Sequence, residues 1–248
     1  MILLNAFIFL LFPPIRLKNK ILSIFGCNIH RTAKVGFSFI LSKHIDIEEN
    51  SFIGSFNFIS VKGLKLKKKA SILKLNYIKG PFYVYMNEKA CIGNINKIRR
   101  APDPISWGHS ILRIGKNSKV TSRHLLDCTR PIIIGDNTVI GGEASQLWTH
   151  GYVHHPYNSD RARVDGSIRI GNNVYIGSAS VIMPSVEIHN SINVGAHSTV
   201  PTSLKNSGLY VCQPLRFIPS SYEQVCNKYS KIKREKNPEL ILNKKHKR

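Results

Sequence analysis

Residues 168–200 read IRIGNNVYIGSASVIMPSVEIHNSINVGAHSTV. Within them Ile170, Ile176, Ile182, Ile188, Val194 and Val200 recur every six residues. Neither a helix nor an ordinary strand has that period. Working outward, Gly follows the aliphatic residue at Ile114-Gly115, Ile134-Gly135, Ile140-Gly141, Ile176-Gly177 and Val194-Gly195, and small residues (Ala33, Ser51, Ser118, Ala144, Ser180, Ser198) stand near the fifth place. The same rhythm runs near the start through Ile29, Val35, Leu41, Ile47, Ile53 and Ile59. A short repeat of this kind indicates stacked coils, each hexamer forming one face of a triangular turn with its aliphatic residue inward. Gly115-Lys-Asn117, Gly135-Asp-Asn137 and Gly171-Asn-Asn173 suit corners where Gly or Asn tolerates left-handed backbone. One coil cannot bury its own core, so stability comes from stacking. A β-sandwich explains alternation but not a period of six.

The pattern resembles the hexapeptide-repeat acyltransferases, sugar O-acetyltransferase type. The resemblance implies an all-β fold, a left-handed parallel β-helix, over about Ile29 to Ile218. It is strong from Ile114 onward and ragged from Lys62 to Arg113, with residues 98–110 (IRRAPDPISWGHS) looping out. Three segments follow: an apolar and amphipathic stretch 1–28, the β-helix 29–218 with a loop 146–168, and a basic tail 219–248.

The formal charge of +22, from 36 Lys and Arg against 14 Asp and Glu, would attract any polyanion. Much of it lies outside the repeat: residues 228–248 carry nine Lys or Arg and two Glu. No RNA-binding signature with interleaved aromatics accompanies it. Five cysteines (Cys27, Cys91, Cys128, Cys212, Cys226) stand far apart with no CxxC, which argues for a reducing cytoplasm and against a zinc or disulfide frame. The apolar run MILLNAFIFLLF ends at Pro13-Pro14, well short of the roughly 20 residues that span a bilayer. It lacks the charged start and cleavage site of a signal peptide. Residues 15–25 suit an amphipathic helix, which either caps the first coil or docks shallowly on an anionic membrane at its cytoplasmic face; both roles hold together if residues 1–12 touch lipid and the helix caps.

In a solenoid, function is expected where regularity fails. The rhythm stops near Gln146 and returns at Ile168 or Ile170, and the intervening loop holds His150, His154 and His155 with Trp148, Tyr152 and Tyr157. The resemblance implies a catalytic His in this loop, often after Thr. Thr149-His150, between Ile134-Gly-Asp-Asn137 and Ile170-Gly-Asn-Asn173, matches best, with His155-Pro156 as rival. Such a His can take the proton of a sugar hydroxyl attacking the thioester of acetyl-CoA, with backbone N–H groups holding the oxyanion in a ternary complex. The resemblance implies Asp165 as the carboxylate orienting it, Glu143 and Asp160 remaining open. Trp148 and Tyr152 suit stacking on a sugar or anchoring on a neighbour; Trp107 and His109 could complete the pocket. The donor site is implied at Ser178 and Ala196, with Arg216 facing phosphate; Pro201-Thr202 stands where the family often has Thr-Lys. A homotrimer is implied too, acting in surface-polysaccharide (capsule, O-antigen or exopolysaccharide) synthesis with no metal. Two other readings remain: a trimeric zinc carbonic anhydrase, for which His150 and His155 suit two ligands but the preceding coils lack the Arg-x-Asp and Gln pattern, and a non-enzymatic scaffold at the membrane.

Overall fold

The computed structural model describes residues 2–14, 16–211, 216–221, 223–224, 227, 230–232 and 241–243. Cys212, Cys226 and most of the basic tail lie outside them, as does the side chain of Arg216. The described chain is a parallel β-solenoid of stacked coils with three walls. The first wall runs from Lys34–Val35 through Phe52–Ile53, Ser71–Ile72, Cys91–Ile92, Lys119–Ser122, Val139–Glu143, Tyr175–Ile176 and Ile192–Val194 to Gly208–Val211. The second runs from the start of Phe39–Ile47 through Tyr77–Lys79, Lys97–Arg99, Leu125–Asp127, Gln146–Leu147 and Val181–Ile182 to Thr199–Val200. The third runs from Asn28–Ile29 through Tyr83–Met86, Ile111–Ile114, Ile132–Ile134 and Ile168–Ile170 to Glu187–Ile188. The strand pairs along these walls are parallel, with one register shift between Val120 and Ser122, and Ile53, Ile72, Ile92, Val120, Ile140, Ile176 and Val194 form one buried aliphatic column.

The rhythm is right through the C-terminal coils but one residue out at Leu41. Ile40 is the inward residue there, paired in register with Ile59, and Leu41 is only half-buried. The long strands Phe39–Ile47 and Phe58–Leu66 continue around a corner, which adds a residue and shifts the count. Of the ragged stretch 62–113, residues 62–99 are regular coil, with Ile72, Ile78, Val84, Ile92 and Ile98 all fully buried or nearly so, and only residues 100–110 loop out.

Gly and Asn divide the corner work. Asn117, Asn137 and Asn173 hold the left-handed φ of 57°, 52° and 55°. Gly115, Gly135 and Gly171 serve close stacking instead: a Cβ at Gly115 would lie 2.2 Å from the Gly135 carbonyl oxygen. The opposite corner carries a polar ladder. Asn57 Oδ1 accepts from Asn76 N (2.9 Å), Asn76 Oδ1 from Asn96 N (2.9 Å), Asn96 Oδ1 from His124 N (2.9 Å), and His124 Nδ1 from Ser145 N (3.0 Å). Because a backbone N–H donates to Nδ1, the His124 ring is neutral with its proton on Nε2, 2.9 Å from Thr121 Oγ1. Burial lowers its pKa below the ordinary histidine value of 6.5. A lowered histidine means the unfolded chain binds more protons in the window just below 6.5, so this part of the stability is present above it and fades on acidification. The expected result is that His124→Asn, which keeps the ladder without a titrating ring, loses less stability than the wild type between pH 7 and pH 5 in denaturant melts; parallel losses would refute the role.

Two helices close the N-terminal end. α1 (Ile2–Leu11) packs on Phe39–Ile47, and α2 (Arg16–Ile24) on Asn28–Ile29. The amphipathic stretch does cap the first coil, and the cap is polar at its centre. Lys18 is fully buried, and its Nζ donates toward the carbonyls of Phe12 (2.9 Å), Val35 (2.9 Å), Phe9 (3.0 Å) and Gly36 (3.1 Å). Asn19 Nδ2 donates to the Ala33 carbonyl at 2.8 Å. At the other end Gly208–Val211 pairs antiparallel with Arg216–Ile218, and in the tail Ser230–Ile232 pairs with Ile241–Asn243.

Candidate active site

Two excursions leave the same corner, between the second and third walls. Residues 100–110 leave after Lys97–Arg99, and an antiparallel hairpin, His150–His154 with Arg161–Asp165, leaves after Gln146–Leu147. Gln146 and Leu147 are still coil, stacked between Leu125–Leu126 and Val181–Ile182, so the loop starts later than the sequence rhythm suggests. Between the excursions lies the corner Asp127–Pro131. A cleft of about 820 Å³ opens along the second wall beneath them.

His150 lines this cleft. Its Nδ1 lies 2.7 Å from Asp127 Oδ2. A carboxylate only accepts, so Nδ1 carries a proton, and in the neutral imidazole the lone pair is on Nε2. Nε2 has no hydrogen-bond partner among the described residues. The ring is held edge-on between Trp148 (6.1 Å between centroids) and Tyr152 (5.8 Å). Asp127 is 4% exposed and well supplied with donors. Oδ2 also accepts from Thr149 N at 3.1 Å, the Thr149 hydroxyl lies 2.8 Å away, and Oδ1 accepts from Thr129 Oγ1 at 2.8 Å. A buried carboxylate needs such partners to stay ionised. Thr149 therefore matters as the residue that fixes the carboxylate beneath the histidine.

Asp165 is not the carboxylate on His150. It is the cross-strand partner of His150 in the hairpin, yet its oxygens turn to Arg163 Nε (2.6 Å) and Arg130 Nε (3.3 Å). Two guanidiniums draw it away, and Asp127 approaches from the coil below. Glu143 instead pairs with Arg123 at 3.1 Å, and the Asp160 carbonyl accepts from His155 N at 2.8 Å. His155 stands outside the cleft near the hairpin turn, its ring edge-on to Tyr157. Trp107 is not in the cleft wall either: the Arg130 guanidinium sits 3.4 Å from its ring centroid. His109 is exposed. Ser178 and Ala196 stack on consecutive coils at the corner between the first and second walls, linked by His197 N to the Ser178 carbonyl at 2.8 Å. They lie at the opposite end of the second wall from His150, and neither lines the cleft.

Arg100 was not anticipated. It is 4% exposed and ties the first excursion down, donating to the carbonyls of Gly108 (2.7 Å), Pro81 (2.8 Å) and Trp107 (2.9 Å). Burial, aided by the like charges of Arg130 and Arg163, lowers its pKa from the usual guanidinium range. Cys128, beside Asp127, is fully buried, and burial pushes its thiol well up, so it is no thiolate nucleophile. Among the described residues no three His, Cys, Asp or Glu side chains gather as a metal site would need.

Residues 131–146 and 167–200 match the family model described as the hexapeptide repeat of succinyl-transferase. The galactoside O-acetyltransferase of Escherichia coli (strain K12) is 32% identical over 117 residues, which are 47% of this chain and 57% of that protein. The chain spans 57% and 62% of the lengths of two curated relatives it matches. Among solved structures, a hexapeptide-repeat-containing acetyltransferase from Vibrio cholerae O1 biovar eltor, complexed with acetyl coenzyme A, is 23% identical, covering 55% of this chain and 70% of that one at a TM-score of 0.45. A galactoside acetyltransferase in complex with coenzyme A is 23% identical, covering 55% and 63% at a TM-score of 0.41. The buried aliphatic columns and the residues matched by the repeat model show hexapeptide repeats in this chain over residues 131–146 and 167–200.

Proposed function

We propose that this protein transfers an acetyl group from acetyl-CoA to a sugar hydroxyl, with His150 as general base. The observation that carries the proposal is the Asp127–His150 pair at 2.7 Å, which leaves Nε2 with a lone pair at the edge of a large cleft. The identity with a galactoside O-acetyltransferase supports the reaction class. As the hydroxyl oxygen attacks the thioester carbonyl, Nε2 takes its proton, and Asp127 stabilises the imidazolium that forms. The C–S bond then breaks, and the thiolate of coenzyme A leaves and receives that proton from the imidazolium. The nearest thiol, Cys128, is buried and protonated, so direct transfer without an acyl-enzyme fits the site. The acceptor is assigned to a surface polysaccharide or its precursor. The test is mass spectrometry of the host's surface glycan with and without the gene: loss of one acetyl mass per modified residue supports the reading, and identical spectra sink it.

The acting form is assigned as a homotrimer. Four apolar residues, Phe37, Phe56, Leu75 and Ile95, stand exposed in a column on successive coils at the corner between the first and second walls. Phe56, Leu75 and Ile95 hold left-handed φ of 63°, 61° and 60° there, a conformation that costs a non-glycine residue about 1 kcal/mol or more. A neighbouring copy covering this column would roof the cleft, and the donor site is assigned between subunits with Ser178 and Ala196 on its edge. Light scattering should give a trimer. Phe56→Lys with Leu75→Lys should give monomers with little turnover, and a fully active wild-type monomer would overturn the assignment.

α1 is assigned to an anionic membrane surface. It buries Asn5, Ala6, Ile8 and Phe9 but exposes Leu3, Leu4, Phe7, Leu10 and Leu11, and Phe12, Arg16 and Lys20 after it are exposed too. No helix among the described residues is long and apolar enough to cross a membrane. Shallow insertion of the apolar face with basic flanks on anionic headgroups fits this distribution. In sedimentation with phosphatidylglycerol vesicles the protein should bind, less so at 0.5 M salt, and truncation of residues 2–12 should abolish binding. Equal binding to phosphatidylcholine vesicles, or none to either, would leave α1 with capping alone.

A further inference from the structure

The second wall beside His150 carries a charge that base catalysis does not use. Parallel pairing sets Lys79 against Arg99 and Arg99 against Asp127 on successive coils, so Lys79, Arg99 and Asp127 form one rung column running away from the histidine. Lys97 stands in the neighbouring column beside Tyr77, which continues a stacked aromatic run through Phe58 and Phe39 with ring centroids 5.4 and 5.1 Å apart. Lys79, Lys97 and Arg99 are exposed, all three line the cleft, and none forms an ion pair among the described residues. Behind them Arg100 is buried, with its Nε lacking any partner among the described residues. The one carboxylate lining the cleft, Asp127, is committed to His150 and Thr149. Cations gathered along a concave wall focus their field more than the same charges scattered on a convex surface.

We propose that the acceptor is an anionic glycan, a sugar chain bearing carboxylate or phosphate groups, that lies along the second wall with its charges on Lys79, Lys97 and Arg99 and its acceptor hydroxyl at His150. The inference rests on the reading of His150 as the base at this cleft and names the substrate class for that site. Unpaired basic groups one coil apart are spaced for charges on successive sugars, and Tyr77 offers a ring face between them. A neutral acceptor would leave three cations facing it unpartnered. The rung order also sets direction: the sugar to be modified sits at the Asp127 end, and the anionic remainder runs toward the N-terminal coils.

The test is binding, which separates it from the chemistry. A galacturonic acid hexasaccharide and its fully methyl-esterified form share a backbone and differ only in charge. Calorimetric titration at 50 and 250 mM salt should show the acid binding at least tenfold more tightly than the ester at low salt, with the gap closing at high salt. Glucose 1-phosphate as competitor distinguishes the sources: displacement at low millimolar concentration points to phosphate, and its failure to compete points to carboxylate. Lys97→Ala and Arg99→Ala should each weaken binding of the acid about threefold to tenfold and leave the ester unaffected. Lys34→Ala with Lys119→Ala, exposed on the first wall, should change neither and so controls for the overall +22 charge. His150→Ala should bind normally, so loss of turnover with retained binding tests the reaction and not the acceptor. Equal affinity for acid and ester, no binding of the acid, or equal loss in the first-wall control would overturn the proposal.

Discussion

His150→Ala should lower acetyl transfer at least about a hundredfold while leaving coils and assembly intact, the scale expected when a positioned base is removed. The side chain stands outside the aliphatic columns and its removal opens no core cavity. Asp127→Asn should also cost about tenfold or more, for a different reason. An amide nitrogen facing Nδ1 would favour the tautomer with its proton on Nε2, which cannot accept from the acceptor hydroxyl. Asp165→Asn should loosen the hairpin through Arg130 and Arg163 and have the smaller effect on turnover, because its oxygens do not touch the imidazole. His155→Ala should be milder still. Steady-state thioester turnover of the four variants, each checked by circular dichroism, decides the matter. A larger loss for Asp165→Asn than for Asp127→Asn would show that the hairpin turns over in the working complex. Near-normal turnover in His150→Ala would end the general-base reading.

Lys18→Met should detach the N-terminal cap. The substitution keeps length and apolar stem but leaves the carbonyls of Phe12, Val35 and Gly36 without their shared donor, while the Phe9 carbonyl keeps only the Ser38 N–H at 3.4 Å. Each buried acceptor left unpaired costs about 1–3 kcal/mol, so the cap should lose several kcal/mol of local stability. Burial pulls the Lys18 pKa down to about 8, so at neutral pH the group is still an ammonium, and an ammonium's protons suit this ring of oxygens. Its contact with the Phe9 ring, 5.7 Å to the centroid, adds a weaker hold. Solenoid stability is local, so the loss should appear in hydrogen exchange of α1, α2 and the first coil, with coils beyond Ile92 unchanged. Unchanged protection of α1 and α2 would mean that Phe9, Ala6 and Leu22 alone hold the cap.

How far the site was legible depends on which part is considered. The loop holding His150, His154 and His155 stood out because the hexamer rhythm fails around it and three histidines fall together, and the family resemblance then pointed to Thr149-His150 within it. Asp127 did not, because it sits in LLDCT, where Leu126 keeps the rhythm unbroken and an acid beside an inward leucine reads as an outward-facing surface group. Only the stacking of Leu125–Asp127 beneath Gln146–Leu147 brings Asp127 under the following histidine. Asp165 was misread for the opposite reason: near in sequence and even paired across strands, it is captured by Arg130 and Arg163, and nothing local announces that competition. The roles of Gly and Asn at the corners were likewise merged, since both tolerate left-handed backbone. Their division became visible only where the Gly115 position meets the Gly135 carbonyl of the next coil.

The sequence by itself determined the architecture of this protein, because a period of six leaves one solution in which aliphatic residues bury each other coil upon coil. It also determined where regularity breaks, and so where chemistry could sit. What only the tertiary structure decided is which side chains meet. In a solenoid, neighbours across coils are separated in sequence by a full turn plus any excursion, so contacts such as Asp127 with His150, Lys79 with Arg99 and Lys18 with Val35 carry no local signature. They follow from register, and register is settled by the summed packing of the whole stack.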